Sequence, residues 1–523
     1  MTQGPGPHLP GAASSDLLAE RRQAVARLAA EGVAAFGVDF RPDHRAVEVV
    51  AALERWERES AAAVEPPPPP AVAVAGRIMR LRPSGGLAFA DCFDETGRIQ
   101  LMATADGPDP AVLQRVASLD LGDLVGARGT VTRTRRGEPT VVLQECVLLA
   151  KALRPPPEKY HGLQDTEARY RRRYVDLFSA PERRQVFRTR AAVISALRAT
   201  LDGRRFLEVE TPILQPIPGG GAARPFRTHH LALGADLYLR IALELHLKRL
   251  LVGGFERVYE LGRVFRNEGL SPRHNPEFTI LEAYEAYGNV ATMMELCEAM
   301  VAAAAAAAKV EEGVLIGGRL VSLRPPYRRA RLVDLVRDEL ERDALRHWDD
   351  PVALAGAAVA EGVRLPAHAS AGDILAACFD QRVADTIVEP TFVTDYPFEI
   401  SPLARRSPSD PRFVERFELF IDGREFANAY SELNDPLDQR ARLAAQAARW
   451  DAGDAEAHPM DEDFVEALEY GMPPAGGIGL GVDRLVMLVT GERSIRDVLL
   501  FPTLRPQGGA SAHGAEADPA PTL

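Results

Sequence analysis

Two alternating segments flank one short charged stretch, and together they constrain the fold more than any other part of the chain. Phe265-Arg266-Asn267-Glu268 is followed ten residues on by Pro276-Glu277-Phe278. Val258, Glu260 and Gly262 lead in; Phe278, Ile280, Glu282 and Tyr284 lead out. This is the pattern of two strands joined by a tight polar loop. Period-2 alternation sets Phe278, Glu282 and Tyr284 on one face of the outgoing strand. That face carries an aromatic plate, a carboxylate and a phenol, with Arg266 close by across the hairpin. Such a surface can hold a nucleotide and a cationic small molecule side by side. A hairpin with a salt-bridged solvent face has the same pattern, so the segment alone leaves both readings open.

At 523 residues the chain is too long for one core, and two to four folding units are expected. Its 46% hydrophobic and 26% charged residues are those of an ordinary soluble globular protein. The longest uncharged apolar run, 300–308, is too short to span a bilayer and reads as helix. No basic patch followed by an apolar core opens the sequence, so no export signal and no membrane partner are expected. Cys92, Cys146, Cys297 and Cys378 are far apart and form no CxxC, which predicts buried free thiols in a reducing, cytoplasmic setting. His229-His230 has no third ligand nearby, so no metal site is expected there. A net charge of −12 argues against a surface coated with nucleic-acid-binding charge but leaves room for a local basic patch. Lysine occurs only at positions 151, 159, 248 and 309; all other fixed cations are arginine, for which genomic base bias is the simplest explanation.

Along the chain, residues 1–70 read as an N-terminal extension, mobile over 1–15, helical over 16–31 with Asp16 as cap, and closed by the stiff run Pro66–Pro70. Short strands are predicted at 72–80, 87–93, 98–103, 124–134 and 140–149, with a helix at 110–117. Three strands, a helix and two strands is the order of an OB-type barrel, here over 71–153. Such barrels bind single-stranded nucleic acid by stacking bases on aromatics. Phe89 and Gln100 are suitable readers, although Phe89 could equally be barrel core. Arg133, Arg135 and Arg136 read as a solvated hairpin tip. A connector spans 154–178, ending in Arg169-Tyr170-Arg171-Arg172-Arg173. The region 179–505 begins with a helix at about 181–201, Pro181 in its first turn, and a strand at 206–210. Residues 285–311 read as helix and 331–385 as a helical insertion without legible chemistry. Strands return at 391–400 and 413–432, and the tail 506–523 reads as disordered.

Three clusters of chemistry follow in order: Glu208-Val209-Glu210-Thr211-Pro212 with Gly219-Gly220-Gly221; the Arg266 hairpin; and Glu418, Glu425, Asn428 and Glu432 followed by Gly477-Ile478-Gly479-Leu480-Gly481-Val482-Asp483-Arg484. The glycine run alone could be a tight strand-to-helix turn. Together the clusters resemble the three signature motifs of class II aminoacyl-tRNA synthetases, and most closely the lysyl-tRNA synthetase family. The resemblance is carried by 219–230, 237–250, 253–269, 273–279, 399–406, 425–436 and 478–485, with 161–177 and the barrel, and covers about 16 to 505. It implies an α+β protein, an N-terminal OB-fold barrel followed by a catalytic domain of antiparallel sheet flanked by helices.

The resemblance also implies residue roles. The family activates L-lysine with ATP and passes it to the 3′ end of its tRNA, as a homodimer. Arg266 matches the arginine bridging the lysine carboxylate and the α-phosphate, and a guanidinium fork suits that task. Phe278 matches the ring under adenine and Arg484 the guanidinium above it; Glu268 and His274 match further ATP contacts. Glu418 and Glu425 match the carboxylates that hold Mg2+ on the phosphates. Glu282 and Glu432 match the pair facing the ε-ammonium, with Tyr284 as hydrogen-bond partner. Glu244 and the Gly220 carbonyl match the α-amino contacts, Asn428 the carboxylate contact, and Tyr430 a pocket wall. Asn428, Tyr430 and Glu432 share one strand parity, while Glu425 has the other, so a bulge or turn is needed if it shares the site. Phe89, Gln100 and Glu145 match the residues that read the central anticodon base. The loop Arg82-Pro83-Ser84-Gly85-Gly86-Leu87 lacks the lysine the family usually carries near that aromatic, a departure that bears on the strength of anticodon binding.

Overall fold

The computed structural model describes residues 12–157, 162–340, 344–366, 369–453, 457 and 459–506. The mobile stretch expected at 1–15 lies outside them up to residue 11, as does the expected disordered tail beyond residue 506. The chain divides into two compact units, Met1–Pro181 and Glu182–Leu523.

In the first unit, helix α1 is Ala12–Ala30, so Asp16 lies inside the helix and is not its cap. A second helix, α2 (Ala46–Ala62), was not expected from the sequence. It buries Ala46, Val49 and Leu53, a spacing of three and four that was there to be read. Strands β1 (Ala71–Ser84), β2 (Leu87–Phe93) and β3 (Arg98–Thr104), helix α3 (Pro110–Ala117), then β4 (Leu124–Arg133) and β5 (Pro139–Ala150) follow. The strands close a barrel in the order β1-β2-β3-β5-β4. Ala88, Ala90 and Cys92 alternate inward, so Phe89 stands on the outer face and is not barrel core. At the supposed solvated tip, Arg133 is paired with Glu57 of α2 at 2.7 Å. Two short helices, α4 (Thr166–Arg171) and α5 (Arg173–Ser179), complete the unit.

The second unit opens with α6 (Arg184–Gly203). Pro181 belongs to the 3-10 turn before it, not to its first helical turn. Then come β6 (Leu207–Glu208), shorter than the expected 206–210, the small sheet strands β7 (Leu214–Gln215), β8 (Arg227–His230) and β9 (Ala235–Leu239), and α7 (Glu244–Val252). The opening hairpin is β10 (Arg257–Phe265) and β11 (Glu277–Ala286). Its connection is not tight: 266–276 lie between the strands. Helix α8 (Val290–Ala307) starts later than expected because Glu285 and Ala286 still belong to β11. It is long and apolar enough to cross a membrane, yet it buries Met293, Cys297, Met300 and Val301 in the core. Next are β12 (Val314–Ile316), β13 (Arg319–Val321), β14 (Arg328–Arg331), α9 (Leu332–Leu340), α10 (Pro351–Ala360), α11 (Ala371–Cys378) and β15 (Thr391–Pro397). The single strand expected over 413–432 is a hairpin, β16 (Phe413–Ile421) and β17 (Arg424–Ser431). Asp422 and Gly423 turn it with φ of 51° and 66°, the two positive angles a type I′ turn requires. Helices α12 (Pro436–Asp451) and α13 (Glu462–Glu469), strand β18 (Ala475–Gly481), α14 (Val482–Thr490) and α15 (Ile495–Val498) close the chain.

Eight strands form the main sheet in the order β14-β15-β16-β17-β18-β11-β10-β6. Its interior pairs are antiparallel, but β14–β15 and β6–β10 run parallel, so the sheet is mixed and not purely antiparallel. Alternation divides its two faces. Leu281, Ala283, Ile478, Leu480, Ala427, Ala429, Phe417 and Leu419 pack on α6, α8 and α14. The opposite parity is left to line a cavity.

Candidate active site

One row of residues runs across four strands of that open face. Glu418 pairs with Asn428, Asn428 with Gly479, and Gly479 with Glu282. Three interstrand steps separate its ends, roughly 14 Å. The next row joins Tyr430, Gly477 and Tyr284. Glycines on β18 therefore form a floor between two polar walls. The glycine run is a central strand as well as the entry to a helix. A Cβ on Gly477 would lie 2.0 Å from Glu432 Oε1 and 2.4 Å from the Tyr284 ring, so no other residue fits.

Above the floor is a cavity of about 480 Å³. Gly220, Glu244, Arg266, Glu268, His274, Phe278, Glu282, Tyr284, Glu418, Glu425, Asn428, Tyr430 and Arg484 all line it. Of the residues expected around ATP and lysine, Glu432 alone is not on its wall. It is buried one layer behind, against Gly477.

At one end, the Arg266 guanidinium lies 5.2 Å from the Phe278 ring centroid, with Nε donating to the Ile241 carbonyl at 3.4 Å. Arg484 comes from α14 and donates to the Glu425 backbone carbonyl at 2.7 Å and to its carboxylate at 3.2 Å. Asp483 fixes that helix on the hairpin: it accepts the Thr279 N–H at 2.7 Å and Arg190 Nη1 at 2.5 Å. Burial lowers the His274 imidazole below its usual value, and the Ser271 hydroxyl lies 3.0 Å from its Nδ1.

Glu425 reaches the site through a bulge. Leu419 pairs with Ala427 but Phe420 pairs with Glu425, leaving Phe426 as the extra residue. The shift turns Glu425 to the side of Asn428. Burial, and then the charge of Glu425, push the Glu418 carboxyl up to about 7. Tyr396 donates to Glu418 at 2.9 Å and Arg416 at 2.6 Å. Arg416 also donates to Asn428 Oδ1 at 3.0 Å. Sequence reading missed Arg416, although it shares strand parity with Glu418. It also found no chemistry in the helical insertion, yet Asp380 there, on a π-helical turn, is pushed up by burial and by Glu425. Among the described residues no three metal-ligating side chains come together.

At the acidic end, Glu282 accepts the Leu243 N–H and the Tyr284 O–H, both at 3.0 Å. Burial first, and Glu244 second, push its carboxyl up to about 7. Gly220 sits at φ +84° above Glu244 and Ala242, a conformation that suits glycine. The Tyr430 hydroxyl donates to Glu244. Lys248, also missed, stands one helical turn after Glu244 and binds both Glu244 and Glu432.

On the barrel, Phe89 is half-buried and Gln100 is buried, accepting the Thr140 hydroxyl at 3.0 Å. Register sets Phe89 beside Met102, and Gln100 between Asp91 and Thr140. Glu145 lies past a bulge, exposed and paired with Arg128 at 3.2 Å. The loop without lysine is served by Arg82, whose guanidinium is 5.9 Å from the Phe89 ring centroid.

Residues 165–505 match the profile of the family described as tRNA synthetases class II (D, K and N). Residues 72–149 match the OB-fold nucleic acid binding domain. A lysine–tRNA ligase of Moorella thermoacetica is 49% identical over 497 residues, covering 95% of this chain and 99% of that protein. One from a Synechococcus species is 50% identical over 94% of this chain and 98% of its own. That of Bacillus subtilis is 47% identical over 94% and 97%.

Proposed function

We propose roles for the cavity residues from the premise that this chain belongs to the class II tRNA synthetases, in the family of the lysine–tRNA ligases. It is an ATP-dependent ligase that charges tRNA with L-lysine. In the first half-reaction a lysine carboxylate oxygen attacks the α-phosphorus; the bond to the bridging oxygen breaks and pyrophosphate leaves. In the second, a terminal ribose hydroxyl of tRNA attacks the activated carbonyl and AMP leaves. Both steps depend on alignment and charge neutralisation more than on covalent help from the protein.

Arg266 holds the lysine carboxylate and the α-phosphate together. Phe278 stacks on adenine, Arg484 covers it, and Glu268 and His274 make further ATP contacts. Gly220 and Glu244 bind the α-amino group, Asn428 the carboxylate, and Tyr430 walls the side chain. Glu282, with Glu432 behind the glycine floor, meets the ε-ammonium, and Tyr284 orients Glu282. The observation that carries this reading is the single row from Glu418 to Glu282, with a phosphate-suited end and an ammonium-suited end.

Two carboxylates suit a divalent cation that arrives with a polyphosphate and takes its other ligands from it. Glu418 and Glu425 would hold Mg2+, which neutralises triphosphate charge when bound. Phe89, Gln100 and Glu145 read the central anticodon base. Leu207, Ile213 and Leu214 are exposed along the first motif and suit a homodimer contact. We assign the enzyme to the cytoplasm. Exchange of labelled pyrophosphate into ATP tests the reading: it should require lysine and magnesium. Equal exchange with arginine, or none with lysine, would refute it.

A further inference from the structure

A cation is already buried behind the acidic end of the cavity. Lys248 is fully buried on α7, with Nζ 2.5 Å from Glu244 Oε1 and in contact with Glu432 Oε2. The rings of Tyr430 and Phe464 flank it at 5.5 and 6.0 Å. Of 62 lysine and arginine residues, only positions 151, 159, 248 and 309 are lysine. A compact ammonium is thus kept here in a chain that uses arginine almost everywhere else. A guanidinium, broader and planar, would not fit the same closed space.

Counting charge gives this ion a purpose. With all three carboxylates ionised, Glu244, Glu282 and Glu432 bring three negative charges and Lys248 one positive, leaving two negative. Lysine brings two ammonium groups, and its carboxylate goes to Arg266. Resting on the lysine-binding reading above, we propose that Lys248 is a positioning residue that determines specificity: a built-in ammonium that pairs with Glu244 and Glu432 and sets the pocket charge to what the two ammonium groups of lysine neutralise. Lys248 does not line the cavity and acts through the carboxylates it holds.

The groups facing it are consistent with this role. Glu244 is on its own helix, and Glu432 and Tyr430 come from β17 and its end; around those carboxylates, Glu282 and Tyr284 come from β11, with Arg266 acting on Glu282 and Arg416 on Tyr430. Burial opposes the Lys248 charge, but the two carboxylates outweigh it and raise the amine above its ordinary value. Burial pushes Glu432 up to about 8 even while Lys248 draws it down. Removing Lys248 would drive it higher still.

Steady-state pyrophosphate exchange tests the charge balance directly. Glu432→Gln alone leaves one negative charge and should raise the lysine KM about 100-fold; adding Lys248→Met restores two, and should recover about tenfold of that loss. The ATP KM should stay within about twofold throughout. Lys248→Met alone should shift the acid limb of kcat/KM for lysine to higher pH by about one unit. A double variant no better than Glu432→Gln, or an acid limb that does not move, overturns the proposal. Wild-type enzyme in the same assay separates the two readings. No lysine-dependent exchange there would sink the lysine pocket itself, whereas normal wild-type exchange confines the failure to Lys248.

Discussion

Glu282 weakens the empty protein and serves the loaded one. Its carboxyl is raised from an unfolded value of 4.5 to about 7, chiefly by burial. The folded state therefore holds that proton more tightly than the unfolded chain, and the stability gained from it is lost as pH rises through 7. Each pKa unit is worth about 1.4 kcal/mol, so at pH 8 the ionised group costs on the order of 3 kcal/mol. Glu282→Gln keeps both hydrogen bonds, its carbonyl accepting from Leu243 and its amide donating to Tyr284. We expect it to raise the thermal midpoint at pH 8 while raising the lysine KM by about 100-fold. A lower midpoint would show that the charge is already compensated in the empty site. The same groups set a pH dependence. Glu282 near 7 and Glu432 near 8 must both lose protons to meet an ammonium, so kcat/KM for lysine should climb from pH 6 to 8 and beyond.

Strand β18 is the element on which the site depends, because Gly477, Gly479 and Gly481 put no side chain on the open face. Gly477→Ala would drive a Cβ into Glu432 Oε1 and the Tyr284 ring. Overpacking of that kind destabilises by about 1–3 kcal/mol. Lysine binding should suffer more than ATP binding, measured as separate KM values, since Gly477 pairs with Tyr284, whereas Phe278 lies six residues away along β11 and Arg484 follows the far end of β18. The elements differ in how plainly the sequence announces them. Strand β2 and helix α3 are legible to their ends: small and apolar residues alternate over 87–93, and Asp109-Pro110 opens the helix with a cap that accepts the Ala111 N–H at 2.9 Å. Asp422-Gly423 was equally legible as a turn, but the apolar run through it reads as one long strand. The bulge at Phe426 is not legible, because one extra residue leaves no mark except the wrong parity of Glu425. Arg416 and Lys248 were readable as neighbours of Glu418 and Glu244 at strand and helix spacing. What hid them is that a lone basic residue near an acidic one usually forms a surface pair, and only burial shows otherwise.

At the scale of the whole molecule, two surfaces must act on one tRNA, and they should separate in kinetics. Phe89→Ala removes a stacking ring from the outer face of the barrel, which is worth about 1–3 kcal/mol per base. Aminoacylation at limiting tRNA should fall about 10- to 100-fold, while lysine-dependent pyrophosphate exchange stays unchanged; a parallel fall in both would mean that the ring supports the fold and not the RNA. The central claim concerns the other surface: an amino acid is chosen there by the charge at the end of its side chain. Norleucine has the four-carbon side chain of lysine and lacks only the terminal ammonium, so the ratio of kcat/KM for lysine and norleucine in pyrophosphate exchange reports that group. A site whose buried polar groups go unpaired discriminates by about 10^4-fold, and we expect a ratio of that order, falling by about 100-fold in Glu282→Gln. A wild-type ratio below about tenfold, the value of a merely shape-selective apolar pocket, would contradict it.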